Sequence, residues 1–128
     1  ASKLYGLMFD YYTRDKGLHN LLWVWNCPVR EAYPGDDRVD VVSVDVYLPK
    51  YAQTDYAEDY RVLAAGTSKN KVAALAEVGY LPDIRMLAES RIPWSKEFCI
   101  GERYNRLENL KAMYENPYAV TAESAEKN

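Results

Sequence analysis

Apolar and polar positions in the first sixteen residues recur at helical spacing. Leu4, Leu7, Met8 and Tyr11 fall on one side, predicting a helix over Ser2–Lys16 with Gly17 as its stop. The period then changes. Leu21–Trp25 (LLWVW) is a short unbroken apolar run, fit for a strand buried on both faces. The stretch NCPVREAYPGDDR follows as a loop, with Pro34-Gly35-Asp36 as its turn signal. Val39–Tyr47 (VDVVSVDVY) is rich in β-branched residues and predicts a second buried strand. Thr54 is a candidate N-cap for a helix over Asp55–Ala65, closed by Gly66. Val72–Glu77 is a third strand, and Pro82–Ser90 a short helix with proline in its first turn. RIPWSKEFCIG has room for a fourth, irregular strand. Asn105 is placed to cap a helix running to Glu115, with Leu107, Leu110 and Tyr114 on one face. The closing residues are polar and expected to fray.

Short buried strands alternating with helices imply parallel βα units with the helices outside. No glycine-rich phosphate loop follows any strand, so a nucleotide-binding fold has no support. A β/α barrel is the other parallel architecture, and its active-site groups lie at the C-terminal ends of strands. Asp45, Tyr47 and Glu77 all fall there. About four strands, however, is half of a barrel's eight.

Composition narrows the picture. The 128 residues amount to one domain or less, and 48% hydrophobic with 27% charged residues excludes wholesale disorder. A net charge of −3 argues against a nucleic-acid footprint. No apolar run is long enough to span a bilayer, and the start does not read as a signal peptide. Cys27 and Cys99 are too few for a disulfide framework and lack metal-ligand spacing. The lone His19 cannot build a metal site, and Asp36, Asp37 and Asp40 lie in a turn without a calcium-loop pattern. No metal and no cofactor is expected. There are 12 Tyr and 3 Trp against 2 Phe. Tyrosine and tryptophan pair an apolar face with a polar handle, a combination suited to stacking on sugar rings and also to wet-edged packing.

Glu77 poses the sharpest question, because a carboxylate at the tip of a core strand is costly unless it is paired or functional. Side chains two apart on a strand share a face, so Asp45 and Tyr47 point the same way. In a parallel sheet their strand end neighbours that of Glu77. Two carboxylates and a phenol converge there, either as a reactive cluster or as a solvated rim.

KGLHNLLWVWNCP, YPGDDRVDVVSVDVY, ALAEVG and LKAMYENPYAVTA, in that order, resemble the C-terminal half of glycoside hydrolase family 26. The similarity runs from near Leu4 to Thr121. The family is best known for retaining (β/α)8-barrel endo-β-1,4-mannanases. The resemblance implies an α/β fold, a partial TIM barrel comprising about the last four βα units, with residues 1–128 as the C-terminal half of a catalytic barrel. It implies Glu77 as the catalytic nucleophile at the end of the seventh barrel strand. Asp45 and Tyr47 match an Asp-x-Tyr that shapes the subsite of cleavage. Trp94 resembles an eighth-strand tryptophan that stacks under the same sugar, although the segment before it is short for a strand.

A retaining glycosidase needs two carboxyl groups: one attacks the anomeric carbon, the other acts as acid and then base. The family's acid/base glutamate follows a histidine in a His-Glu pair, and here the only histidine precedes Asn20. The resemblance therefore implies that this half of the machinery lies upstream and that the chain alone is inactive. The chain is then expected to be a piece of a larger enzyme, a shortened product, or a half barrel that joins a complementary chain or self-associates through exposed sheet edges. The implied substrate is mannan or a related β-linked polysaccharide, and the implied location of the parent protein is extracellular or in the cell envelope. The alternative is a non-catalytic, degenerate carbohydrate-binding half barrel.

Overall fold

The computed structural model of the chain describes residues 1–49, 51–95 and 105–126. The chain opens with helix α1 (Ser2–Asp10), which runs into a π-helical turn over Tyr11–Asp15 and ends at Gly17 in the left-handed region (φ +64°). Strand β1 (Val24–Asn26) follows, then two 3-10 turns, β2 (Val41–Val46), α2 (Ala57–Ala65), β3 (Val72–Val78) and α3 (Ile84–Ser90). Helix α4 (Leu107–Glu115) and a short α5 (Ala122–Ala125) complete the described elements. No described helix is long and apolar enough to cross a membrane.

The three strands form one parallel sheet in the order β1-β2-β3. Val24, Trp25 and Asn26 pair with Val41, Val42 and Ser43, and Val41–Val44 with Val72–Leu75. Side chains alternate. Trp25, Val42, Val44, Ala73, Leu75 and Val78 belong to the core, with Leu63 of α2 and Tyr56 before it. Tyr56 also donates its hydroxyl to the carbonyl of Tyr80 at 2.6 Å, which ties the start of α2 to the loop after β3.

The burial pattern corrects three expectations. The strand entries are not buried on both faces: Val24 and Val72 are about half exposed, and Leu22 is 80% exposed, whereas Val42–Val44 and Ala73–Leu75 are buried throughout. Helices cover one face; on the other, Ser43 and Ala74 are buried and the two strand ends are open among the described residues. On α1, the expected stripe of Leu4, Leu7, Met8 and Tyr11 points to solvent. Tyr5 is the anchor, edge-on to Trp25 at 5.1 Å and to Trp23 at 5.8 Å, with its hydroxyl donating to the carbonyl of Arg38. Two large rings on β1 and its approach outcompete the aliphatic stripe for contact. On α4, Leu107 and Tyr114 are likewise exposed.

Caps also differ. Asn105 does not cap α4. It is buried, accepts from the Leu81 amide at 2.8 Å and donates to the Gly79 carbonyl at 3.3 Å, so it pins the exit of β3. Asp83, not Pro82, begins α3, its carboxylate accepting from the amides of Arg85 and Met86. Thr54 accepts from the Tyr56 amide and Asp55 from that of Ala57, one step before the helix proper. Thr121 and Ser124 form a reciprocal cap on α5 where fraying was expected.

Of the fourth strand, Arg91–Ser95 are described and do not form one, although the Ser95 amide donates to the Ala73 carbonyl at 2.9 Å. The rest of that expectation, with Cys99, lies outside the described residues. Cys27 is a half-buried free thiol.

The acidic turn is a structural joint. Asp36 accepts from the hydroxyls of Tyr33 and Ser68, and Lys71 donates to its carbonyl at 2.7 Å. Asp40 accepts from the Trp23 amide at 2.8 Å. The Ser68 hydroxyl, then Tyr33 and the two nearby lysines, hold the Asp36 carboxyl below its usual value, and Arg85 does the same for Asp83. A lowered folded value means stabilisation that is complete above the ordinary carboxyl range, about pH 4, and drains away as pH falls through the lowered value. Melting temperatures of Asp36→Asn should therefore fall less steeply on acidification than those of the parent. Parallel curves would show that the joint contributes nothing to acid sensitivity.

Candidate active site

Glu77 owes its direction to an irregularity in β3. Ala73 and Leu75 face the helices, so plain alternation would send Glu77 after them. Val78 would then turn to the open face. Instead Val44 pairs with Leu75 and Asp45 with Glu77, leaving Ala76 as an extra residue. Such a bulge re-aims the residues that follow it. Leu75 and Val78 are both 0% exposed, three positions apart. An odd spacing cannot put both on one face of a regular strand, yet both belong to the same core cluster, so the apolar pair enforces the bulge. Glu77 is thereby turned out to the same face as Asp45.

Tyr47, two residues after Asp45, donates its hydroxyl to Glu77 Oε2. The bond locks the carboxylate to the neighbouring strand, and Oε1 takes no hydrogen bond among the described residues. Gly79 lies against this pair. Its amide donates to the Val46 carbonyl at 3.2 Å, and a Cβ there would stand 3.4 Å from the Tyr47 ring. Asp45 accepts from Asn26 Nδ2 at 3.0 Å, and Asn26 Oδ1 accepts from the Ser43 hydroxyl at 3.2 Å. Neither Asn26 nor Ser43 emerged from the sequence reading. The available signal was a polar residue at the end of an apolar run, at the same sheet end as Asp45 and Glu77.

The cluster thus brings together Glu77, Tyr47 and Asp45, all exposed and all at the C-terminal ends of parallel strands. It does not include Trp94. The Ser95 amide lies against the Ala73 carbonyl, near the entry end of β3, whereas Glu77 is at its exit. The Trp94 indole N–H donates to the Asp55 carbonyl at 3.0 Å, and its ring meets Tyr60 of α2 edge-on at 5.3 Å. No group of three or more His, Cys, Asp or Glu residues is placed to hold a metal among the described residues. An ionised carboxylate steered by one neutral donor, with its second oxygen open, is equipped for nucleophilic attack or for accepting from a hydroxylated ligand.

Comparison with known proteins gives this geometry its context. The sequence model of glycosyl hydrolase family 26 matches residues 1–124. A mannan endo-1,4-beta-mannosidase of Thermothelomyces thermophilus is 35% identical over 127 residues, 94% of this chain and 26% of that protein. Mannan endo-1,4-beta-mannosidase A of a Piromyces species is 25% identical over 120 residues, 89% of this chain and 19% of that one. Among solved structures, the GH26-CBM35 β-(1,4)-mannanase of Podospora anserina superposes with a TM-score of 0.84 at 29% identity, over 98% of this chain and 29% of that one. A β-mannanase from a symbiotic protist of the termite Reticulitermes speratus, complexed with gluco-manno-oligosaccharide, gives 0.81 at 26% identity, over 96% and 40%. The chain thus spans about a quarter of the first curated relative's length. Its three-stranded parallel sheet is consistent with part of the barrel of those neighbours. The chain belongs to glycosyl hydrolase family 26.

Proposed function

We propose that this segment carries the nucleophile half of a retaining endo-β-1,4-mannanase. It forms about the last four βα units of a (β/α)8 barrel, with β2 and β3 as the sixth and seventh strands. Glu77 attacks the anomeric carbon and forms a glycosyl-enzyme, which water then cleaves. Tyr47 orients the attacking carboxylate through the hydrogen bond to Oε2. Asp45, beside it in the ladder, accepts from a sugar hydroxyl in the same subsite. The acid/base carboxyl comes from the rest of the barrel, so the segment alone does not turn over. Trp94, tied to Asp55 and Tyr60, is left out of this assignment. The observation that carries the reading is the bulge-directed meeting of Glu77 with Tyr47 in a chain of this family. Polymeric mannan does not enter cells, so the parent protein acts outside the cytoplasm or in the envelope.

The open strand ends and the edge of β1, unpaired among the described residues, call for cover. That cover is the remainder of the same barrel, since the relatives extend well beyond the matched segment. A non-catalytic sugar-binding module is the second reading, favoured by nothing in the cluster except the absence of a His-Glu pair from these 128 residues.

Three outcomes are expected. In a full-length enzyme bearing this segment, Glu77→Ala abolishes release of reducing ends from mannan, and a 2-fluoro-mannoside inactivator attaches to Glu77. Attachment at another residue would defeat the assignment, and sugar binding without hydrolysis would favour the second reading. Tyr47→Phe, assayed on the same substrate, lowers kcat by about 10²-fold, the usual loss for one transition-state donor. The 128-residue chain alone self-associates in light scattering; a stable, monodisperse monomer would show that its open face needs no cover.

A further inference from the structure

We infer that Asn26 is a positioning residue for this site. It commits one oxygen of Asp45 to the protein and so presents the other to a single hydroxyl of the sugar. The inference rests on the reading of Glu77 and Asp45 as parts of a sugar cleft.

Asn26 and Ser43 are partners in the β1–β2 ladder, and Asp45 lies two residues beyond Ser43 on the same face. From there the Asn26 amide reaches diagonally across the strand end, donating to Asp45 Oδ1 at 3.0 Å while its own Oδ1 accepts from the Ser43 hydroxyl at 3.2 Å. The carboxylate can only accept, which fixes the amide nitrogen toward Asp45 and the oxygen toward Ser43. Ser43 is 1% exposed, so the relay has a buried root. Asp45 Oδ2 takes no hydrogen bond among the described residues.

Charge explains why a neutral donor is needed. Glu77 is the ladder partner of Asp45, so two carboxylates stand side by side on adjacent strands. Tyr47 draws Glu77 toward β2, and Asn26 draws Asp45 the other way, toward β1. A lysine or arginine at position 26 would also hold Asp45. It would add a cation beside a nucleophile that must remain available. An amide separates the two carboxylates without that competition. The groups facing Asp45 are then Asn26 from β1, Tyr47 from its own strand and Glu77 from β3.

The test uses Asn26→Ala and Asn26→Asp in a full-length enzyme bearing this segment, assayed on a mannooligosaccharide across pH, with carbon-13 at the aspartate carboxyls as a second readout. Asn26→Ala should lower kcat/KM about tenfold, the size of one lost hydrogen bond to a charged group, with little change in melting temperature. Asn26→Asp places two carboxyls within hydrogen-bond reach. At neutral pH they repel and Asp45 is displaced. As pH falls the pair takes up one proton, the O–H···O link re-forms, and activity relative to the parent rises. Because Glu77 is common to parent and variant, the ratio isolates position 26. A pH-independent ratio, or both variants matching the parent, would overturn the inference. If the parent fails to hydrolyse mannan, the functional reading falls separately. The carbon-13 carboxyl signal of Asp45 then decides: a changed chemical shift in both variants supports Asn26 as its holder, and an unmoved signal refutes it.

Discussion

The whole cluster depends on a packing constraint three residues long. Leu75 and Val78 are both fully buried in one core cluster, and a regular pleated strand sends two side chains an odd number of positions apart to opposite faces. The extra residue, Ala76, resolves the conflict, and its by-product is a carboxylate aimed away from the core. Burying two aliphatic side chains is worth several kcal/mol in all. That is more than enough to hold a local irregularity in place. The direction of Glu77 is thus underwritten by hydrophobic burial on the opposite face of the sheet, and the Tyr47 hydroxyl needs only to fine-tune it.

Around this point the sheet divides its labour. The helix side carries Trp25, Val42, Val44, Leu75 and Val78, and is dry. The other side carries Ser43, Asp45, Tyr47, Asn26 and Glu77, and its hydrogen bonds run between strands rather than along them. Each polar link therefore crosses a ladder that is already rigid. Gly79 and Asn105 close the exit of β3 from below and behind, so the loop after Glu77 has a fixed origin. At the other end of the sheet, Asp36 joins the approach to β2 to the approach to β3 through Ser68 and Lys71. The polar cluster and the structural joint lie at opposite ends, the division of catalysis from stability that parallel α/β sheets generally show.

Much of this was legible from the residues. Strand order, the parallel sense and the shared face of Asp45 and Tyr47 follow from β-branched runs and a period of two. What alternation could not supply was register. Counting by twos from Leu75 puts Glu77 on the wrong face; only the second apolar residue, Val78, reveals the correction. Trp94 was legible only as an aromatic after a short apolar run; its ties to Asp55 and Tyr60 leave no trace in the sequence. The stripe on α1 was misjudged. Periodicity reports that a helix has an apolar side, yet Tyr5 won the contact with Trp23 and Trp25, and the aliphatic side was left for something else to cover. Asn105 read as a cap because caps are the commonest use of asparagine beside a helix. Its burial instead commits both ends of the amide to backbone groups before and after Tyr80.

The free edge of β1 has a geometric implication. In the proposed assignment, with β1 as the fifth barrel strand and the acid/base carboxyl on the fourth, as the family resemblance implies, that carboxyl would lie three strand spacings from Glu77. In a flat sheet those spacings of about 4.8 Å sum to roughly 14 Å, nearly three times the 5–5.5 Å or so that a retaining pair requires. Curvature must supply the difference. Rolling the sheet into a closed cylinder swings the two strand tips toward a common axis, so the distance between the reacting carboxyls becomes a property of how tightly the wall is bent. An open arc, however well its own side chains are set, cannot reach it.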